Sequence, residues 1–156
     1  MGLSKTQIRN IIITIVAIIV VAVLGSIFVN LGMDWFNSLE KPSQWIPNIV
    51  IPIVWTIIYI TFGIILSIWI AKGEIPKSIY FLLILNGILN ILWCLLFFTL
   101  KLTFVGNICI VLNLIAGIIL VYTINRYKPL YSYILIIYPI WLSIATTLNL
   151  ALWILN

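Results

Sequence analysis

Apolar residues run along this chain in five long blocks, at about 8–31, 47–71, 77–99, 103–124 and 129–154, with charges and helix breakers collected between them. A bilayer core about 30 Å thick is crossed by roughly 20 apolar residues of helix, so each block is long enough to span it. The predicted architecture is an all-α integral membrane protein, a five-transmembrane-helix bundle forming a single membrane domain over residues 1–156. Most connections are short. Lys72-Gly73-Glu74-Ile75-Pro76 carries turn chemistry, and 100–102 and 125–128 leave room only for tight turns, which makes consecutive helices antiparallel neighbours. The exception is 32–46, which holds Asp34, Trp35, Glu40, Lys41, Pro42 and Trp45. Loops of that length without structure of their own are uncommon and often serve as lids, so this first loop is expected to close over something. The opening apolar stretch, Ile11 to Val29, exceeds the h-region of a signal peptide and has no A-x-A site after it, so it is read as a retained helix.

Composition narrows the class further. Hydrophobic residues make up 65% of the chain and charged ones 7%, against roughly a quarter charged in soluble domains. The net charge of +5 is spread in ones and twos, with no basic stripe to track a phosphate backbone, so no nucleic-acid partner is expected. The basic residues report topology instead. Lys5, Arg9, Lys72, Lys77, Arg126 and Lys128 fall at one end of the bundle, and Lys41 and Lys101 at the other. The positive-inside rule then predicts a plasma-membrane protein with a cytoplasmic N-terminus and an extracytoplasmic first loop and C-terminus.

No charged residue lies mid-span and the chain has no histidine. Intramembrane ionisable groups mark ion pathways and proton relays; without them a proton-coupled transporter or channel is disfavoured, and no metal site is expected. Cys94 and Cys109 lie inside apolar blocks and are expected to be small packed residues. The chemistry that remains inside the spans is aromatic and amide. Pro52, Trp55 and Tyr59 share one face of the second helix; Asn86, Asn90, Trp93 and Phe97 share a face of the third; Trp141, Ala145 and Asn149 share a face of the fifth. At 1.5 Å per residue, Trp55, Asn90 and Ala145 lie about 12–13 Å below the loop end and Trp141 about 19 Å below it. Three polar-aromatic stripes thus meet under the long loop, as a pocket with a lid would require. Indoles stack on flat π-systems and amides orient polar substituents, so the expected ligand is a flat aromatic molecule such as a tetrapyrrole. The amides have a second reading, as hydrogen-bonding glue between helices. Trp69 and Trp153, near helix ends, are expected to be interfacial anchors.

These residues resemble the tryptophan-rich sensory protein/translocator protein family over nearly the whole chain. The resemblance runs through Gly25-Ser26-Ile27-Phe28 and Trp35, Leu39-Glu40-Lys41-Pro42-Ser43, and Pro52 to Tyr59. It continues through Leu89-Asn90, Trp93 and Phe97-Phe98, then Tyr138-Pro139, Trp141 and Ala145-Thr146-Thr147-Leu148-Asn149. It implies a homodimeric five-helix receptor or sensor that binds protoporphyrin IX and isoquinoline or benzodiazepine-like ligands. The candidate binding residues are Ser26, Trp45, Pro47, Ile51, Trp55, Tyr59, Asn86, Asn90, Trp93, Trp141, Ala145, Leu148 and Asn149. It also implies light-dependent oxidative porphyrin degradation, with Trp55 and Trp141 as the catalytic candidates; porphyrin is ligand or substrate there, and no cofactor is called for. A porphyrin transporter and a non-catalytic signalling protein are the alternative readings. The family's W-x-P-P becomes Gln44-Trp45-Ile46-Pro47, with Trp displaced and the first Pro lost, and the C-terminal cholesterol-type pattern is absent.

Overall fold

A computed structural model describes residues 2–43 and 45–156; Gln44, part of the altered W-x-P-P stretch, lies outside them. Five helical spans cross the bundle. The first is α1, Lys5–Leu31, and a short helix α2, Met33–Ser38, follows it. The second span is α3, Val50–Lys72. The third is α4, Lys77–Cys94, continued by a π-helical turn, Leu95–Thr99. The fourth is α5, Thr103–Tyr127, and the fifth is made of α6, Pro129–Leu135, and α7, Ile137–Leu155. All five spans are long and apolar enough to cross a membrane. The chain is an integral membrane protein with an all-helical fold.

Local chemistry sets the ends. Ser4 caps α1 reciprocally: Gln7 N–H donates to Ser4 Oγ at 3.1 Å and Ser4 N–H to Gln7 Oε1 at 2.8 Å, which satisfies two of the helix's free donors. The same Gln7 amide donates to Ala71 O at 3.1 Å and Ile70 O at 3.3 Å, tying the start of α1 to the end of α3. Helix α3 begins at Val50, three residues later than the apolar run suggests, because Pro47 to Val50 closes a turn (Val50 N–H to Pro47 O, 2.9 Å). The fifth span is broken at Ile136. Pro139 lacks an N–H and its ring displaces the carbonyl four residues back, at Leu135. Lys101, at φ 57°, makes the tight α4–α5 turn.

Packing closes the spans into a ring. Helix α1 packs on α3 and α4, α3 on α6 and α7, α7 on α5, and α5 on α4. Around the ring the order is first, second, fifth, fourth, third. Large apolar side chains such as Ile12, Ile60, Ile84, Ile115 and Ile140 face outward, the arrangement lipid permits and water does not. Inside lie two apolar clusters. One, toward the basic end, gathers Ile58, Phe62, Leu66, Ile79, Leu120, Ile124 and Leu142. The other, toward the loop end, gathers Phe36, Trp93, Phe97, Phe98, Ile110, Ala145 and Leu152. Trp55 packs against both.

Two expectations change here. The 32–46 stretch is not an irregular loop throughout, since α2 occupies its first half and ends where Leu39 turns extended (ψ 144°) ahead of Pro42. Trp69 is no interfacial anchor: it is 2% exposed and packs on Tyr131 with ring centroids 5.7 Å apart. The α3–α6 contact covers it, whereas Trp153 stays 42% exposed beside Phe104.

Candidate functional site: an aromatic cluster under the first loop

Trp55, about a turn and a half into α3, is the hub of the loop-end half. Its ring stacks on Tyr59 at 5.7 Å, lies 6.1 Å from Trp93 on α4, and meets Tyr138 on α7 edge-on at 6.4 Å. From Trp93 the contacts continue to Phe98 at 5.8 Å, to Phe36 at 5.2 Å, and to Trp45 at 5.9 Å. A continuous series of rings thus runs from the middle of the bundle to the loop. Helix α2 supplies its upper part by turning Phe36 inward, where it is buried. The π-helical turn supplies the lower part, since its wider winding buries the consecutive Phe97 and Phe98 together. Such turns are frequent at functional sites.

The loop is fastened on two sides. Lys41 Nζ sits 5.0 Å over the Phe36 ring and 6.0 Å over Trp45, and donates to Phe36 O at 3.1 Å. Trp45 Nε1 donates to Asn48 Oδ1 at 2.8 Å. At the far edge Glu40 N–H donates to Asn156 Oδ1 at 2.9 Å, and Asn156 Nδ2 returns a bond to Glu40 O at 3.0 Å. At its root Gly32 lies so close to the Phe98 carbonyl that any Cβ there would collide with it.

Below the loop, polar groups are buried without partners among the described residues. The indole N–H groups of Trp93 and Trp141, the Asn149 Nδ2 and both amide atoms of Asn107 have none. A buried donor left unpaired costs about 1–3 kcal/mol, and such groups are usually explained by a water, ion or ligand they receive. Trp93, Trp141 and Asn149 are all donors. Their natural complement is a molecule carrying acceptors. Asn86 is engaged differently. Its Nδ2 donates to Leu82 O at 2.8 Å, and its Oδ1 accepts from Tyr138 Oη at 3.1 Å, with Asn113 Oδ1 at 3.3 Å from the same hydroxyl. One hydroxyl proton serves one acceptor. With the Asn113 amide turned over, its Nδ2 donates to Tyr138 Oη and its Oδ1 takes the position that has no partner among the described residues.

The structure therefore sorts the sequence candidates. Trp55, Tyr59 and Trp93 come together, with Trp45 joined to them through Phe36. Ala145 lies in the same cluster as Trp93, and Trp141 and the half-buried Ile51 pack in the neighbouring one. Asn90 and Asn149 are buried and Leu148 half-buried. Asn86 is spent on the interhelical network, the glue reading of the amides. Ser26 is exposed on α1, because the residue that α1 turns inward is its neighbour Gly25, whose face meets Cys94. Pro47 is exposed in the turn before α3. Helix-end counting also sets α7 too low. Trp55 reaches Tyr138, and α7 rises far enough for Asn156 to meet the loop. Tyr138 and Phe36 were missed; Tyr138 stands three residues before Trp141 and seven before Ala145, on their face.

The TspO/MBR family model matches residues 13–154. The chain belongs to the TspO/MBR family. It is 31% identical over 156 residues to "Tryptophan-rich protein TspO" of Archaeoglobus fulgidus, covering 96% of this chain and 99% of that one. To "Tryptophan-rich protein TspO" of Bacillus cereus it is 28% identical over 137 residues, covering 85% of this chain and 88% of the relative. "Protein CrtK" of Rhodobacter capsulatus is 28% identical over 128 residues, 78% of each chain. The ring cluster around Trp55 lies inside the matched region, so it is a feature to be read against the family.

Proposed function

We propose that this TspO/MBR protein is a membrane receptor or sensor for porphyrins, protoporphyrin IX first, and for isoquinoline or benzodiazepine-like aromatic ligands. The ligand sits between α3, α4 and α7 under the first loop. One observation carries the reading: Trp55 offers its ring amid Tyr59, Trp93 and Tyr138, while the Trp93 and Trp141 N–H groups and the Asn149 amide wait without partners. A flat π-system bearing carboxylates or carbonyls answers both needs, since it stacks on the rings and accepts from the donors. Among the described residues no group of three or more His, Cys, Asp or Glu side chains is gathered to hold a metal, and the free-base porphyrin is the form the reading names. The basic end faces the cytoplasm of the plasma membrane and the loop faces outward, by the positive-inside argument. The protein works as a homodimer; α1, with Gly25 as its one buried residue, offers broad apolar surface for it.

Titration of the purified protein with protoporphyrin IX, followed by tryptophan fluorescence and porphyrin absorbance, tests the proposal. Saturable binding that weakens in Trp55→Phe and Trp141→Phe is expected. Absence of saturable binding by folded protein, for porphyrin and isoquinoline carboxamide alike, overturns it. The degradative activity has its own test. Under illumination in oxygen, bound porphyrin is expected to bleach faster with the wild type than with either variant, the porphyrin losing the electrons that reduce oxygen and Trp55 and Trp141 carrying them transiently as radicals. Equal rates remove that activity and leave the receptor.

A further inference from the structure

At the basic end, on the outer side of the bundle, a concavity of about 470 Å³ lies between α5 and the broken fifth span. It falls within the roughly 300–1,000 Å³ range of ligand sites. It exists because of the break at Ile136: Pro139 displaces the turn above α6, and Ile136, Pro139 and Ile140 form one wall against Ile118 and Val121 of α5. The Ser132 hydroxyl, donating to Val121 O at 3.0 Å, holds the two walls together at the floor. Toward the end of the bundle the lining turns polar, with Tyr122, Asn125 and Tyr133. Tyr122 and Tyr133 are 65% and 71% exposed.

The charge continues this gradient. Arg126 follows Tyr122 by four residues, one turn further along the same face of α5. Lys128 is the joint between α5 and α6. Both are exposed, and the one acidic residue at this end, Glu74, belongs to the α3–α4 connection. Apolar wall, then tyrosine and amide, then two cations is the order of chemistry along a glycerophospholipid, from acyl chain through ester to phosphate. Basic pockets between membrane helices take anionic head groups, each Lys or Arg near such a surface contributing about fivefold in affinity.

We propose that this groove holds one anionic phospholipid of the adjacent leaflet, its acyl chain along Ile118, Ile136 and Ile140 and its phosphate at Arg126 and Lys128. The inference is independent of the porphyrin site. Its test is native mass spectrometry of the purified full-length protein with phosphatidylglycerol and phosphatidylcholine, each alone and in competition. The wild type is expected to retain phosphatidylglycerol selectively. Arg126→Gln with Lys128→Gln, both exposed positions, is expected to lower that retention roughly ten- to thirtyfold. Ile140→Trp, which fills the groove from its lipid-facing wall, is expected to lower retention of the lipid while leaving the two cations in place. Soluble glycerol phosphate is expected not to compete. Three results each overturn the proposal: unchanged selectivity in the double Gln variant, full competition by glycerol phosphate, or an Ile140→Trp variant that loses its oligomer and keeps its lipid. The last would assign the groove to a second copy of the chain.

Discussion

The two halves of this bundle treat buried polar groups in opposite ways. In the middle and basic-end half, polar side chains are bonded to one another or to backbone. Asn86, Asn113 and Tyr138 join α4, α5 and α7, Ser132 ties α6 to α5, and Gln7 ties α1 to α3; among the described residues Ser67 Oγ and one amide atom of Asn113 are the exceptions there. In the loop-end half the rings touch, yet Trp93, Asn107 and Asn149 keep unpartnered polar atoms, as does Trp141 where the neighbouring cluster meets it at mid-bundle. A bundle selected for rigidity alone would fill those positions with leucine, because an unpaired donor in a dry interior only costs. On the proposed function, the difference leaves stability to one half and reception to the other.

The largest effect expected belongs to the loop's root. Gly32→Val pushes a branched side chain into the Phe98 carbonyl, and since backbone cannot yield as a side-chain tip does, a loss of about 3 kcal/mol or more is expected. Thermal unfolding in detergent checks it, and a wild-type midpoint would mean α2 does not enter the bundle this closely. Next comes Trp55→Ala, which removes the hub of the ring cluster. Central aromatic contacts are worth about 2 kcal/mol or more, so porphyrin affinity is expected to fall at least about thirtyfold.

Asn86→Leu and Asn149→Leu break the comparison from its two sides. The first removes a bonded amide and leaves Tyr138 only the Asn113 amide; the bundle is expected to lose about 1–2 kcal/mol, with ligand affinity nearly unchanged. The second removes an unpartnered donor. Its unliganded stability is expected to hold or rise, and its affinity to drop about three- to tenfold, one hydrogen bond's worth. The smallest effect is Asn156→Ala. Removing the bonds to Glu40 is expected to speed ligand exchange several-fold in stopped-flow fluorescence, with equilibrium affinity moved by less than about 1 kcal/mol, an exposed latch being weak.

Much of this was legible in the sequence, and the parts that were not share a cause. Apolar runs with charges between them report how lipid is met, so the five spans could be read directly. Facing is harder where a helix is apolar on every side. Nothing in Lys5–Leu31 tells that Gly25 turns inward and Ser26 outward; that depends on the close approach of α4, where Cys94 lies 3.5 Å from a Cβ built at Gly25. Polar stripes do report facing, and Trp55, Trp93, Trp141 and Asn149 were found from them. A stripe cannot say whether an amide is spent, so Asn86 looked like Asn149 until Tyr138 was placed beside it. Phe36 was hidden because α2 is a tertiary product, a six-residue helix far below the length that stands alone in water. Trp69 looked like an anchor because sequence gives distance from the helix end and not the neighbour that covers the ring.

The most direct test of the division sets Trp141→Phe beside Asn86→Leu, with unliganded thermal midpoint and protoporphyrin IX affinity measured on the same preparations. Trp141→Phe keeps a ring and discards an N–H that bonds to none of the described residues. The account predicts that its midpoint stays at or above wild type while affinity falls about three- to tenfold, and that Asn86→Leu shows the reverse. A Trp141→Phe protein that melts early and binds porphyrin as tightly as the wild type would contradict it.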